Sequence, residues 1–318
     1  MRDLKGAAVL GGSGWLGRHV CSSLVRKGRP VLAVARAPAA HLTGCAFHPM
    51  DAAAATPEEL ADLLRSHRIR LVVNAVDAAN ARDGWRHDDE TLHASNVRLA
   101  ESLVAAAAAL PWPVRLIHVG TVLEYGPLPP GSDIGDATVP APRDAYARTR
   151  LAGSRAVLDA AGSGAVDGIV VRLANLCGPH PSSASFPGWL LESLRRARAT
   201  GSDLTVRVAD AQRDYVDVRD AAEALLRAAD VGGTGTAFNI GRGEAVPIPE
   251  LVRMSAEAAG LSGRLRMRRD RVTALGGDWT RVDPGPAAYA LGWRPRISLA
   301  DSLRDAWRAA GPPRTARG

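Results

Sequence analysis

The sequence predicts an α/β protein built around a doubly wound parallel sheet, and two patterns carry that prediction. Short apolar runs alternate with segments of helical periodicity through the first half of the chain, which is typical of parallel strands covered by helices on both faces. The first run, at residues 7–10, leads into a glycine-rich stretch at residues 11–17. Leu16, Val20 and Leu24 then recur on one face of a helix. Strand, glycine turn and helix in this order indicate a Rossmann-like fold.

Further segments continue the alternation. Thr56 starts a helix because it can cap the first turn, with Pro57 at the first position and Glu59 closing a capping box. Longer helices are expected over residues 91–110 and from Tyr146 onward. Further strands are expected at residues 31–35, 46–50, 71–75, 115–119 and 168–173.

The alternation changes after the last of these strands, and the change divides the chain. Residues 1–178, with residues 208–242 returning to them, are expected to form the Rossmann-like cofactor-binding domain. Residues 179–207 and 243–310 are expected to form a smaller C-terminal α/β region that binds substrate. Residues 311–318 have the Pro- and Arg-rich composition of a frayed tail.

Composition excludes several classes of protein. With 318 residues, 46% of them hydrophobic, the chain can bury a large core. The absence of a membrane-length apolar run and of a signal-peptide pattern predicts a cytoplasmic protein. The net charge is +7 and nearly all basic residues are arginine, so we interpret the charge as a compositional bias with no nucleic-acid partner. The arginines at 264–271 are interpreted as a solvated face, with a surface that faces phosphates as the alternative. The spacing of Cys21, Cys45 and Cys177 predicts reduced thiols and no metal site.

The glycine stretch has the features of a dinucleotide-binding turn. Glycines allow a tight turn and a close approach to a pyrophosphate, and the helix N-terminus offers unpaired N–H groups and a positive dipole end. The spacing is G-x-x-G-x-x-G, one residue wider than the common dehydrogenase pattern. The residues expected to contact the cofactor here are Gly11, Ser13, Gly14, Trp15, Leu16 and Gly17.

Arg36 bears on which cofactor binds. It follows the second strand, where NAD-preferring folds usually carry an acidic residue for the ribose 2′-hydroxyl. An arginine suits a 2′-phosphate, so the sequence favours NADPH/NADP. The alternative interpretation is one more surface arginine in an arginine-rich chain.

Several motifs follow one another in an order found in a known family. The chain resembles the extended short-chain dehydrogenase/reductases, a family of nucleotide-sugar epimerases, dehydratases and ketoreductases, over nearly its whole length. The matching positions are the glycine turn, Asp51, Asn74-Ala75, Asn96, Thr121 ahead of Tyr125-Gly126, Tyr146-x-x-x-Arg150, Arg172 to Pro179, Arg213 to Asp220, and Leu291 to Pro295.

The resemblance implies a role for these positions. Asp51 is expected near the adenine, and Asn74-Ala75 and Asn96 are expected along the cofactor. Tyr146 and Arg150 are expected both to contact the nicotinamide ribose and, with Thr121, to form the catalytic group. The same resemblance is compatible with a homodimer.

The chemistry of a ketone reduction explains these residue types. Hydride addition builds negative charge on the carbonyl oxygen, so a positioned acid must supply a proton. A tyrosine can serve if a fixed cation lowers its pKa, and one helical turn places Arg150 beside Tyr146. Thr121 can donate to the same oxygen. The family usually has lysine where this chain has Arg150, and arginine keeps the charge without giving up a proton.

The residues that follow Thr121 in the sequence limit which reactions of the family are expected. Dehydratases of the family carry acidic residues immediately after this position, and this chain has Val122 and Leu123. Dehydration is therefore not expected. Asn175 and Arg213 match positions that contact a nucleotide diphosphate in sugar-modifying relatives.

The expected function is therefore an NADPH-dependent ketoreductase that acts on a nucleotide-linked 4-keto-6-deoxyhexose, with a dTDP-linked sugar favoured. Tyr146 is the expected proton donor, Thr121 polarises the carbonyl, and Asn175 and Arg213 bind the substrate. Three alternatives stay open: a nucleotide-sugar 4-epimerase, a reductase of a non-sugar ketone, and a catalytically silent NADP-binding protein, the last because of Arg150.

Overall fold

The computed structural model describes residues 6–77, 88–231, 233–269 and 277–311. Its centre is a seven-stranded sheet in the order β10-β6-β5-β4-β1-β2-β3, parallel throughout. The chain runs outward from β1 in one direction and then in the other, as the doubly wound prediction requires. The strands are β1 Ala7–Leu10, β2 Val31–Ala35, β3 Ala46–Pro49, β4 Leu71–Asn74, β5 Arg115–Thr121, β6 Asp167–Leu173 and β10 Thr236–Ile240.

Helices cover both faces of this sheet because successive strand residues point to opposite sides. In β1, Val9 packs into the cluster that contains Val20 of α1, while Leu10 packs into the cluster that contains Leu60 of α2 and Leu103 of α4. The helices that belong to this layer are α1 Trp15–Arg26, α2 Pro57–Ser66, α3 Asp89–His93, α4 Leu99–Ala108, α5 Ala145–Gly162 and α7 Val218–Asp230.

The remaining elements form a smaller region with its own core. Strands β7 Asn175–Cys177, β9 Gln212–Asp217 and β11 Ala245–Pro247 make a three-stranded sheet, and β8 Leu204–Val208 pairs with β12 Leu265–Arg269. The return of residues 208–242 to the main sheet begins only at α7 and β10, because β9 lies in the three-stranded sheet. The helices of this part of the chain are α6 Phe186–Thr200, α8 Ile248–Ala258, α9 Gly285–Leu291 and α10 Leu299–Ala309.

The helix expected over residues 91–110 is interrupted. Between α3 and α4, residues Ala94–Arg98 form a π-helical turn. Helix α5 packs tightly against this turn, since a Cβ on Gly153 would lie 2.0 Å from the carbonyl oxygen of Asn96. The widened turn carries Asn96, which is fully buried, toward α5. π-Turns of this kind commonly mark functional sites.

No helix in the described part of the chain is both long enough and apolar enough to span a membrane.

Candidate active site

The glycine turn joins β1 to α1 in the geometry that a pyrophosphate site requires. Gly11 has a φ of +76°, which favours glycine, and a Cβ on Gly17 would lie 2.1 Å from the carbonyl oxygen of Gly11. Gly14 is the N-cap of α1 and has no side chain with which to cap the helix, and the first turn holds no acidic residue. The exposed N–H groups and the positive dipole end therefore suit a bound phosphate.

The loop after β7 lies against the start of α1. The indole N–H of Trp15 donates to the carbonyl oxygen of Pro179 at 3.0 Å, and Nε2 of His19 lies 3.2 Å from the same oxygen. Leu16 is buried in the core, and Ser13 lies half-buried in the turn. The start of α1 is thus held in place by the burial of Leu16 in the core and by the hydrogen bonds to the loop after β7.

The two residues expected at the adenosine end lie where β2 and β3 stop. Arg36 follows β2 directly and is exposed, and Asp51 lies two residues after β3 and is also exposed. Asp51 accepts a hydrogen bond from the backbone N–H of Ala53 at 3.2 Å. Their contacts with a cofactor stay predictions.

The end of β4 forms a wall beside the glycine turn. A Cβ on Gly11 would lie 2.8 Å from the carbonyl oxygen of Ala75, so the two backbones are in close contact. Asn74 is buried, and its Nδ2 donates to Nδ1 of His118 at 3.2 Å. Burial, reinforced by the charge of Arg150, lowers the pKa of His118 to about 3, so this imidazole is neutral.

Arg150 is a buried cation at the centre of the site. Only 3% of the residue is exposed. Its guanidinium donates to the carbonyl oxygen of Val76 at 3.2 Å, to Oδ1 of Asn96 at 3.3 Å and to the carbonyl oxygen of Val119. It therefore links the ends of β4 and β5 to the π-helical turn.

Tyr146 lies in the first turn of α5, one helical turn before Arg150, and its phenol is also buried. Its hydroxyl donates to both carboxylate oxygens of Asp77 at 3.3 Å. Burial and the charge of Asp77 raise the pKa of Tyr146 and outweigh the opposing effect of Arg150. The expectation of a lowered tyrosine pKa is therefore wrong for this structure, and at neutral pH the phenol carries its proton.

Thr121 ends β5 and caps the short 3₁₀ helix Val122–Tyr125, accepting a hydrogen bond from the N–H of Leu123 at 3.3 Å. Leu123 lies in the same buried cluster as Tyr146. The segment behind Thr121 thus shares a small core with the tyrosine.

Glu124 lies in the same 3₁₀ helix, and its fully buried side chain completes the capping box with Thr121. Its carboxylate accepts from the N–H of Thr121 at 2.9 Å, from the hydroxyl of Ser154 at 3.0 Å and from Nε of Arg172 at 2.7 Å. These three bonds hold the Glu124 carboxylate within the core. That the enzyme is not a dehydratase stays a prediction.

Asn175 and Arg213 lie on adjacent strands of the three-stranded sheet. Nδ2 of Asn175 donates to the carbonyl oxygen of Asp214 at 3.2 Å, and Arg213 donates to the carbonyl oxygens of Gln212 and Gly277. Burial lowers the pKa of Arg213. The structure brings the two residues together on neighbouring strands, and their role toward a diphosphate stays a prediction.

Two features of the site were not foreseen from the sequence: the carboxylate of Asp77 at Tyr146 and the contact between Asn96 and Arg150. The first could have been suspected, because an acidic residue a few positions after a buried parallel strand lies near the ligand-binding edge of the sheet. The second depends on the π-helical turn, for which the sequence carries no signal.

Comparisons with known proteins show the family to which the chain belongs. A family model described as the NAD dependent epimerase/dehydratase family matches residues 7–241. The chain is 34% identical over 305 residues to dTDP-6-deoxy-L-talose 4-dehydrogenase (NAD(P)(+)) of Kitasatospora kifunensis, which covers 95% of this chain and 94% of that protein. It is 29% identical over 312 residues to dTDP-4-keto-6-deoxy-D-glucose reductase of Streptomyces niveus, with 95% and 90% covered.

The fold is also that of solved structures. UDP-glucose 4-epimerase of Thermotoga maritima, solved with UDP-glucose, superimposes with a TM-score of 0.85 at 21% identity, covering 96% of this chain and 98% of that one. With the glycine turn, the tyrosine and the buried cation in register, and the family model spanning most of the sequence, the chain belongs to the NAD-dependent epimerase/dehydratase family of extended short-chain dehydrogenase/reductases, a family of nicotinamide-dependent enzymes.

Proposed function

We propose that the enzyme is an NADP(H)-dependent oxidoreductase that interconverts the 4-keto and 4-hydroxyl forms of a dTDP-linked 6-deoxyhexose, with reduction of the ketone as its working direction. The observation that carries the proposal is the 34% identity, over nearly the full length of both chains, to a dTDP-6-deoxy-L-talose 4-dehydrogenase. Oxidation and reduction at C4 pass through one transition state, so the same residues serve both directions.

The geometry of the site supports this chemistry. The cofactor supplies or accepts the hydride when bound. Tyr146 carries its proton at neutral pH and can therefore donate it to the oxygen that gains charge. Thr121, at the end of β5, is proposed to polarise that oxygen, and the buried Arg150 is proposed to supply a fixed positive charge one helical turn from the phenol. The bonds that hold the buried Glu124 carboxylate in the core support the prediction that the enzyme is not a dehydratase.

The choice of cofactor and the binding site for the nucleotide diphosphate are proposed from the positions of three side chains. Arg36 is exposed directly after β2, where a 2′-phosphate would lie, which supports NADP(H) over NAD(H). Arg213 and Asn175 lie on adjacent strands of the smaller region and are proposed to bind the diphosphate. A buried arginine whose pKa is lowered by desolvation gains from an anionic partner.

The test is turnover by purified protein. dTDP-4-keto-6-deoxyhexoses with NADPH, and dTDP-6-deoxy-L-talose with NADP⁺, are followed by absorbance of the reduced cofactor and by chromatography of the nucleotide sugars. We expect one cofactor oxidised per ketone reduced. Formation of a C4 epimer without net change in cofactor would instead assign a 4-epimerase, and no turnover of any dTDP-sugar would overturn the proposal.

The Tyr146→Phe variant tests the residue assignment. We expect kcat to fall by roughly 10²-fold or more while NADPH affinity changes little, because only the proton donor is removed. Tyr289→Phe is a matched control, since Tyr289 is 95% exposed. A turnover rate untouched by Tyr146→Phe would place the acid elsewhere.

A further inference from the structure

Tyr146 has a carboxylate neighbour to which the family resemblance gives no role. Asp77 lies three residues beyond β4, and both of its oxygens lie 3.3 Å from the Tyr146 hydroxyl, which donates. Asp77 is exposed, whereas Tyr146 is only 7% exposed. The carboxylate therefore connects a buried phenol to solvent.

Arg150 cannot supply this connection. A guanidinium remains charged under ordinary conditions, and the neighbouring phenol and carboxylates raise the pKa of Arg150 further despite its burial. What Arg150 does is positional: it donates to the carbonyl oxygen of Val76 at 3.2 Å. That bond fixes the backbone one residue before Asp77.

Among the described residues, the other ionisable groups that face the pair are cut off from solvent. Glu124, from the 3₁₀ helix, is fully buried and bonded to Arg172 and Ser154. His118, from β5, is 1% exposed and neutral, because burial lowers its pKa to about 3. Among the described residues that face Tyr146, Asp77 is thus the ionisable group that reaches both the phenol and water.

We propose that Asp77 is the proton relay of this enzyme, carrying protons between solvent and the Tyr146 hydroxyl where the family ordinarily uses a lysine. The proposal rests on the function proposed above. In the reducing direction, hydride adds to the carbonyl carbon and the Tyr146 O–H proton adds to the carbonyl oxygen. The Asp77 carboxylate, which accepts from the Tyr146 hydroxyl before the reaction, takes a proton from solvent once the phenolate has formed and passes it to the phenolate oxygen. One ketone, one NADPH and one proton give one alcohol and one NADP⁺.

The relay makes a prediction that a purely structural role does not. Because Tyr146 begins each experiment protonated, the first turnover needs no relay, whereas every later turnover does. In Asp77→Asn, which keeps the shape and a hydrogen-bonding oxygen, we expect the single-turnover rate to stay within about twofold while steady-state kcat falls about tenfold or more, with KM little changed. The solvent deuterium isotope effect on kcat should rise.

Two further variants sharpen the test. Asp77→Glu should recover part of the steady-state rate, and formate should restore part of the rate of Asp77→Ala, because a small acid can enter the vacated space. Asp62→Asn is the matched control, because Asp62 is an exposed carboxylate on α2 that pairs with Arg65. This variant should leave both rates unchanged.

A turnover-independent measurement separates the two proposals. With 3-fluorotyrosine incorporated, ¹⁹F NMR should show Tyr146 ionising at lower pH in Asp77→Asn than in the wild type, because burial and the Asp77 charge both raise its pKa and only burial remains in the variant. An unchanged titration, or an Asp77→Asn enzyme with wild-type steady-state rate, would overturn the relay alone. Absence of turnover by the wild type on dTDP-sugars and on simple ketones would overturn the proposed function and the relay with it.

Discussion

Arg150 is where this chain departs from the usual lysine of its family, and the structure gives the consequence of reversing that departure. The guanidinium binds acceptors on three separate elements: the end of β4, the π-helical turn and β5. Its two terminal nitrogens lie apart, so one compact ammonium group cannot reach all three acceptors. Arg150→Lys therefore leaves at least one buried oxygen without its donor.

The expected cost follows from these contacts. A buried acceptor left unsatisfied costs about 1–3 kcal/mol, and a hydrogen bond from a charged donor contributes about 1.5–3 kcal/mol. We expect Arg150→Lys to lower the free energy of unfolding by about 2–4 kcal/mol, since one bond is lost and the others relax. Burial also disfavours a charged lysine at this position.

Urea denaturation at pH 7, followed by far-ultraviolet circular dichroism, measures this loss as a lower midpoint at unchanged m-value. Arg155→Lys is the matched control, because Arg155 is exposed on the same helix and is expected to change stability by less than about 0.5 kcal/mol. A loss for Arg150→Lys no larger than that of the control would refute the reasoning, and would show that lysine satisfies the same acceptors.

Two further predictions concern other positions. Arg36→Asp should raise the KM for NADPH about tenfold or more (about 1.4 kcal/mol) while leaving that for NADH nearly unchanged, and equal losses in initial-rate kinetics would remove Arg36 from the 2′-phosphate site. The pKa of His118 is lowered to about 3 in the fold, so the unfolded chain binds more protons and stability should decline as pH falls from about 6.5 toward 3. His118→Asn should flatten that decline in urea titrations relative to the exposed control His93→Asn, and parallel slopes would contradict it.

The main sheet could be predicted from the sequence because its strands are apolar runs bounded by turn residues. β1 and β2 have the expected bounds, and β4, β5 and β6 differ only at their ends. The sheet to which β9 belongs could not be predicted, because the pattern of residues 212–217 indicates a strand without indicating its neighbours. Its pairing with β7 and β11 depends on contacts far apart in sequence.

The site was predictable where a residue's role follows from its place on an element. Tyr146 and Arg150 are one helical turn apart, and the structure buries both beside the end of the sheet. The ionisation of Tyr146 was not predictable in the same way. It depends on the balance between Arg150, burial and a carboxylate from 69 residues upstream, and that balance is set by tertiary structure.

Gly120 shows how a residue's identity can depend on a partner outside its own motif. A Cβ at this position would lie 2.6 Å from Oε1 of Glu124. That oxygen is held by Thr121 and Ser154, and the second carboxylate oxygen by Arg172, so it has no room to retreat. A chain that places a buried acid at position 124 must therefore keep glycine at 120. Because Glu124 also bonds the backbone of Thr121, the same carboxylate that fills the core fixes the residue proposed to polarise the ketone.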